Sequence, residues 1–275
     1  MKAENKNEFQ KQIDEPVSQY AQNELDQNQH KVDIKQSNEL DSSQNDTDTI
    51  IQFQIRKGFI KKVFGIVFSQ LIFTIFFILV FQTTTAKKFV MKHENFFVVS
   101  VLSSMITFII SYFILLCNRK LSRKVPYNYI FLFIITLCET NVCATIAMAY
   151  SPQVVLVSLA LTAVSVFAII SYAFTAKIDF SNFRMILSVL FGQLFMVGIL
   201  CLFMRSEALR IIYCMMGTLL IGMYLVYDVQ LISGKVGLAY EVDDYIFAAV
   251  ELYVDIIRLF IEILRIVGKI MSKRN

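Results

Sequence analysis

Residues 243–268 read DDYIFAAVELYVDIIRLFIEILRIVG. Most of this stretch is Ile, Leu, Val, Phe and Ala, and as a helix it is long enough to cross a hydrocarbon core of about 30 Å. Set into it are Glu251, Asp255, Arg258 and Glu262, at steps of four, three and four. At about 100° per residue these side chains share a stripe roughly 60° wide, with Asp244 and Arg265 close beside it. A charged side chain at the bilayer centre costs about 2.5–3.5 kcal/mol on insertion scales. A helix built this way turns its stripe toward other helices or a water-filled crevice, not toward acyl chains.

The rest of the chain agrees with a membrane setting. Its 275 residues are 56% hydrophobic, with 25 Phe, no Trp and three Pro. A mean hydropathy of +0.57 is too high for an ordinary soluble domain. Apolar blocks of membrane-crossing length fall at 63–82, 96–117, 129–149, 153–174, 185–204, 209–232 and 245–267. The spacing predicts an all-α, polytopic protein with seven transmembrane helices. Spans three and four meet at Ser151-Pro152 and form a tight hairpin.

Two domains follow from composition. Residues 1–50 carry 11 acidic and 5 basic side chains amid Asn, Gln and Ser. Such a segment buries too little surface to offset its ordering entropy, so it reads as a disordered cytosolic tail. It lacks the apolar core of a secretory signal peptide, so the first span must target itself. Residues 51–275 form the seven-helix domain. Arg56, Lys57, Lys61 and Lys62 precede span one; Arg119, Lys120, Arg123 and Lys124 follow span two; Lys177 and Arg184 follow span four. The opposite side has Lys87, Lys88, Lys92, Arg205 and Arg210. This bias predicts a cytosolic N-terminus. A seventh full crossing, favoured by length, leaves Lys269, Lys273 and Arg274 on the far side; a re-entrant segment would return them to the cytosol.

Chemistry is restricted by what is scarce. The five cysteines, Cys117, Cys138, Cys143, Cys201 and Cys214, lie in or at the ends of apolar spans without CxxC spacing, and read as buried reduced thiols. His30 and His93 are the only histidines. Zinc chemistry and His-assisted nucleophiles have almost nothing to work with.

Two further carboxylates stand out. Asp228 closes span six in YLVYDVQLI and reads equally well as an interfacial carboxylate or a functional one. Glu139 lies mid-span in LFIITLCETNVCA, with no other charge within ten residues on either side; there it needs a partner or a proton. The stripe itself has a purely structural reading, in which Arg258 pairs with Asp255 at i,i+3 and Glu262 at i,i+4. Intramembrane ionisable groups more often mark an ion or proton path.

VYDVQLI, followed by the stretch quoted above, resembles the signature of the Bax inhibitor motif, or lifeguard, family. IRKGFIKKVFGIVFSQLIFT, PYNYIFLFIITLCE and SLALTAVSVFAIISYAFTAKIDFSNF resemble its first span, third span, and fourth span with the following loop. The likeness runs in order over residues 52–270, and the Glu in span three looks most like the Golgi anti-apoptotic branch. It implies six helices around a central last helix. It also implies a pH-sensitive calcium leak channel of an intracellular membrane, Golgi or endoplasmic reticulum, with a cytoprotective role. The family's paired-aspartate gate maps to Asp228 and Asp255, which would also ligate calcium in transit. Its basic latch partner maps to Arg123 or Arg119, and an acidic selectivity residue to Asp243. Glu139 and Glu251 join the expected ion path. No resident cofactor is implied. The expected partners are membrane lipids, calcium ions and cell-death regulatory membrane proteins, with no nucleic acid among them.

Two carboxylates side by side cannot both ionise cheaply, so they share a proton. A shared proton latches the helices; its loss separates the pair and exposes oxygen ligands suited to Ca²⁺. The sequence departs from the family at Arg258, where Asn is usual, and at Glu251 and Glu262. These make Arg258 and Glu262 expected gate modulators. Either Arg258 holds Asp255 ionised and moves the response to lower pH, or Glu251 and Glu262 occupy Arg258 and leave Asp255 free.

Other classes fit less well. A seven-helix receptor is disfavoured by short loops and a short C-terminal tail. An intramembrane serine protease lacks a membrane-embedded His, and the aspartyl type expects Gly beside its second Asp, where Val254 and Ile256 stand. No enzymatic activity is expected. A non-conducting interaction protein that modulates cell-death or stress signalling is the alternative.

Overall fold

The computed structural model describes residues 49–178, 180–203, 206–235 and 240–272. The acidic tail before residue 49 and the side chain of Arg119 lie outside the described residues. Regular structure among the described residues is helical throughout. The order is α1 (Thr49–Phe81), α2 (Thr84–Lys92), α3 (Glu94–Cys117), α4 (Arg119–Arg123), α5 (Tyr127–Met148), α6 (Pro152–Thr175), a 3₁₀ turn (Phe180–Phe183), α7 (Arg184–Phe203), α8 (Glu207–Ser233), a second 3₁₀ turn (Val242–Asp244) and α9 (Tyr245–Ser272). The chain divides between Ile55 and Arg56. The described part of the first unit, residues 49–55, is the exposed opening of α1. The second unit, Arg56–Asn275, carries everything that follows.

Each expected span falls on a helix. Helices α2 and α4 lie in segments read from the sequence as loops. In α2 the Thr83 side chain accepts from the Ala86 N–H and caps the first turn. In α6, Ser151 precedes Pro152 at the first helical position, where the missing N–H costs nothing.

Among the described residues five helices, α1, α3, α5, α6 and α8, are long and apolar enough to cross a bilayer, as expected of a multi-pass membrane protein. The apolar part of α7, Met185–Cys201, is shorter. Helix α9 has 28 residues but carries the charged stripe. Large apolar side chains such as Phe68, Phe76, Phe113, Phe167 and Phe195 lie exposed on the outside. Acyl chains are as apolar as these residues, so nothing drives them inward.

What gathers inside is α9. Most of its side chains from Tyr245 to Val267 are buried, packed against α8, α6 and α5. Helix α7 packs chiefly on α8 and the turn before it. Helix association in lipid depends on close packing and hydrogen bonds between helices. Thr74 of α1 lies 3.0 Å from the Thr140 hydroxyl of α5 and 2.9 Å from that of Tyr253 on α9. One turn away, Gln70 donates to Thr136 at 2.7 Å.

Helix α9 runs the length of α5. At one end Asn128 Nδ2 donates to the Tyr245 hydroxyl at 3.3 Å. At the other, Gly268 lies against Tyr150 so closely that a Cβ would strike the ring. The far end also brings together Gln82 with the Ala147 carbonyl (2.6 Å) and Lys269 with Glu207 (2.7 Å). All five cysteines are free. Cys138, Cys143 and Cys214 are buried and Cys201 partly so, but Cys117, at the exposed end of α3, departs from the expectation of a buried thiol.

Candidate functional site

The site is built where α8 ends. Gly234, at φ 76°, closes the helix in the left-handed conformation, and its N–H donates to the Gln230 and Leu231 carbonyls. Glycine is required there on two counts: the φ, and the Arg56 side chain a Cβ would meet. The Arg56 guanidinium lies over the Phe59 ring and donates to the carbonyls of Leu231 and Tyr240. A cation is well placed at the negative end of a helix. Gln230, fully buried, fixes the rotation of α8: its Nε2 donates to the Ile178 carbonyl at 2.9 Å, and its Oε1 accepts from the Phe180 N–H at 3.0 Å.

With α8 held so, Asp228 points inward and is 7% exposed. It meets Asp255 of α9, and the two carboxyl groups are within hydrogen-bonding reach of each other. A hydrogen bond between two carboxyl groups needs a proton: the acid O–H of one donates to the other's carboxylate oxygen. Around the pair stand Glu251 and Arg258 of α9, Tyr224 of α8 and Tyr112 of α3. Arg258 Nη1 lies 3.9 Å from Asp255 Oδ1 and extends its field to Glu139 on α5.

The other acids of the stripe are taken up elsewhere. Glu251 accepts a hydrogen bond from the Tyr240 hydroxyl. Burial first, then the negative charges of Glu251 and Asp228, push the Tyr240 hydroxyl well above its ordinary value, so it remains a donor. Glu262 pairs with Arg265, not with Arg258, at 2.8 Å. Its second oxygen, Oε2, is buried without a hydrogen-bond partner.

Arg123 lies at the start of α9 rather than at the pair. It donates to Asp244 through Nε at 2.8 Å and Nη2 at 3.0 Å, and Nη1 reaches Glu241 at 2.8 Å. The hydrogen bonds to Asp244 dominate in pushing the guanidinium above its already high value. The neighbouring Asp243 is exposed in the 3₁₀ turn. The structure thus brings Asp228, Asp255, Glu251 and Arg258 together, with Glu139 close to Arg258; Asp243 and Arg123 sit at the end of the helix. Among the described residues no group of three or more His, Cys, Asp or Glu side chains is arranged to hold a metal.

The family model described as "Inhibitor of apoptosis-promoting Bax1" matches residues 56–273, nearly all of the described domain. The chain belongs to this Bax inhibitor family. Human protein lifeguard 3 is 29% identical over 220 residues, covering 78% of this chain and 70% of its own length. The Mus musculus protein lifeguard 3 is 30% identical over the same shares. Bax inhibitor 1 of Schizosaccharomyces pombe is 28% identical over 222 residues, covering 80% of each chain. The family match takes in every residue of the acid cluster. The Golgi anti-apoptotic branch was suggested by Glu139 alone, and the similarity stands at the level of the Bax inhibitor and lifeguard proteins.

Tyr240, Tyr112 and Gln230 were not singled out from the sequence, and Asp244 was read only as lying beside the charged stripe. Gln230 and Asp244 each carried a signal, one as a polar residue at the apolar end of a span and the other as half of an acidic doublet. The two tyrosines carried none, because tyrosine is unremarkable at a membrane interface.

Proposed function

We propose that this protein is a pH-sensitive calcium leak channel of an intracellular membrane, Golgi or endoplasmic reticulum, with a cytosolic N-terminus and a cytoprotective role. One observation supports the reading: Asp228 of α8, buried, and Asp255 of α9, half-buried, lie with their carboxyl groups within hydrogen-bonding reach of each other. In the proposed architecture α9 is the central crossing and the other membrane helices surround it.

The gate works through the shared proton. While it is present, Asp228 and Asp255 are tied together and the path past α9 is closed. The groups facing the pair are Glu251 and Arg258 on α9, Tyr112 on α3, Tyr224 on α8 and Tyr240 in the connection. Loss of the proton leaves two like charges in contact, which repel. The helices part, and carboxylate oxygens line the opening for a hard cation. Arg123, engaged with Asp244 and Glu241, steadies the start of α9 while this happens.

Calcium efflux from proteoliposomes holding purified protein, followed across a pH series, tests the reading. Efflux that rises with pH supports it. A second reading is a non-conducting membrane protein acting on cell-death signalling. The names of the relatives favour that role for them, and absence of efflux at every pH would favour it here.

A further inference from the structure

Between the first half of α8 and the last turns of α9 lies a cavity of about 490 Å³. Ile211, Met215 and Leu219, each one turn after the last, form its wall on α8; Ile266 and Ile270 form the wall on α9. The smaller Cys214 and Thr218 also line it. Leu219 and Ile270 are exposed, so the groove opens on the outer surface of the bundle. The Thr218 hydroxyl donates to the Cys214 carbonyl of its own helix at 2.8 Å, and so has no hydrogen left for an occupant. A space lined this way gives water too few polar partners to hold it. At 1.5 Å per residue, the wall from Ile211 to Leu219 is about 12 Å long. It suits a hydrocarbon chain lying along it.

One end of this groove is charged. Lys269, part of its lining, reaches across from α9 and donates to Glu207 of α8 at 2.7 Å. Arg210, in the turn before Ile211, approaches the same carboxylate at 3.9 Å and is itself exposed. Two cations thus face one carboxylate, beside the N-terminal turn of α8, the positive end of its dipole. The nearby Arg265 is already matched by Glu262 at 2.8 Å. The charge at the mouth is complementary to an anion, and the apolar wall begins directly behind it.

We propose that this groove is a phospholipid site: one acyl chain lies along Ile211, Met215 and Leu219, and the phosphate of an anionic headgroup lies between Arg210 and Lys269. Acyl chains surround the protein on every side, so the apolar wall alone gives one lipid little advantage over another. Selectivity comes from the mouth, where Lys and Arg make charge-assisted hydrogen bonds to phosphate oxygens. The site is independent of the channel reading and requires only that α8 and α9 face lipid.

The chain has no Trp, so one introduced Trp is a unique fluorescent reporter. Full-length Leu219→Trp protein is reconstituted in bilayers containing brominated-chain phosphatidylglycerol or phosphatidylcholine, and quenching gives the relative affinity of the two. The anionic lipid should be favoured at Leu219→Trp roughly tenfold. Val164→Trp, at an exposed position of α6, should show no preference. Adding Arg210→Gln and Lys269→Gln should abolish the preference at Leu219→Trp. Should that variant not fold, about 1 M sodium chloride should weaken the preference of the Leu219→Trp protein itself. Equal quenching by both lipids, or the same preference at Val164→Trp, would mean bulk lipid only and overturn the proposal. Quenching by neither lipid would overturn it by showing the groove covered by protein, such as a second copy of this chain. A preference that survives loss of both cations, or that salt leaves unchanged, would overturn the assignment of the headgroup.

Discussion

Arg123 and Asp244, 121 residues apart in the chain, are joined by two parallel hydrogen bonds of 2.8 and 3.0 Å. The carboxylate is 1% exposed and the guanidinium one third exposed. This clamp fixes the 3₁₀ turn that leads into α9 to the end of α4. Removing either partner strands a charge in a poorly solvated place. Arg123→Ala or Asp244→Ala is expected to lower stability by roughly 2–3 kcal/mol, discounted from the cost of a fully buried pair for the exposure of Arg123. Thermal unfolding in detergent measures it, and the double variant should lose less than the sum of the two single losses.

In the proposed channel, Arg258 bears on the gate through Asp255. Its positive charge beside Asp255 favours loss of the shared proton. With Arg258→Asn the proton stays longer, so the pH midpoint of efflux should move upward. A midpoint that does not move would mean that the 3.9 Å approach has no influence on the pair.

The Tyr240 hydroxyl donates to Glu251. Tyr240→Phe removes its hydrogen bond to a half-buried carboxylate, at a cost of about 1–3 kcal/mol. The pH dependence has a definite sign. The folded protein holds the Tyr240 proton beyond its ordinary value, while the unfolded chain releases it near pH 10. The Tyr240 contribution is therefore complete below about pH 10 and is lost as pH rises further. Unfolding measured on the alkaline side should show a shallower decline for Tyr240→Phe.

Gly268 lets the end of α9 lie on Tyr150. Gly268→Val puts a side chain into the ring and is expected to cost about 1–3 kcal/mol. Combining it with Tyr150→Ala should recover part of that loss. Equal stability of Gly268→Val and the unaltered protein would show that the contact between α5 and α9 is not tight.

The sequence announced α9 because a charged stripe at helical spacing inside an apolar run has one economical solution. The apolar lengths announced the other spans for a similar reason. Helices α2 and α4 escaped notice because one is short and basic and the other only five residues long, neither carrying a membrane-length signal. The site was legible on α9 and at Asp228, where isolated acids contradict their surroundings. It was not legible where choice depends on three-dimensional direction. Asp243 and Asp244 are neighbours, yet a 3₁₀ turn points one outward and the other at Arg123. Resemblance suggested Arg123 or Arg119 as the latch partner; the placement of α4 against the second 3₁₀ turn carries Arg123 to Asp244, and the Arg119 side chain lies outside the described residues. The bond between Tyr253 and Thr74 spans 179 residues, and no local pattern encodes it.

The central claim is that the Asp228–Asp255 proton gates a cation path. Its most direct measurement is calcium efflux from proteoliposomes across a pH series, for the unaltered protein beside Asp228→Asn and Asp255→Asn. The account predicts efflux that rises as the shared proton is lost, and a pH response abolished in both variants. Efflux with an unchanged pH profile in both folded variants would contradict it.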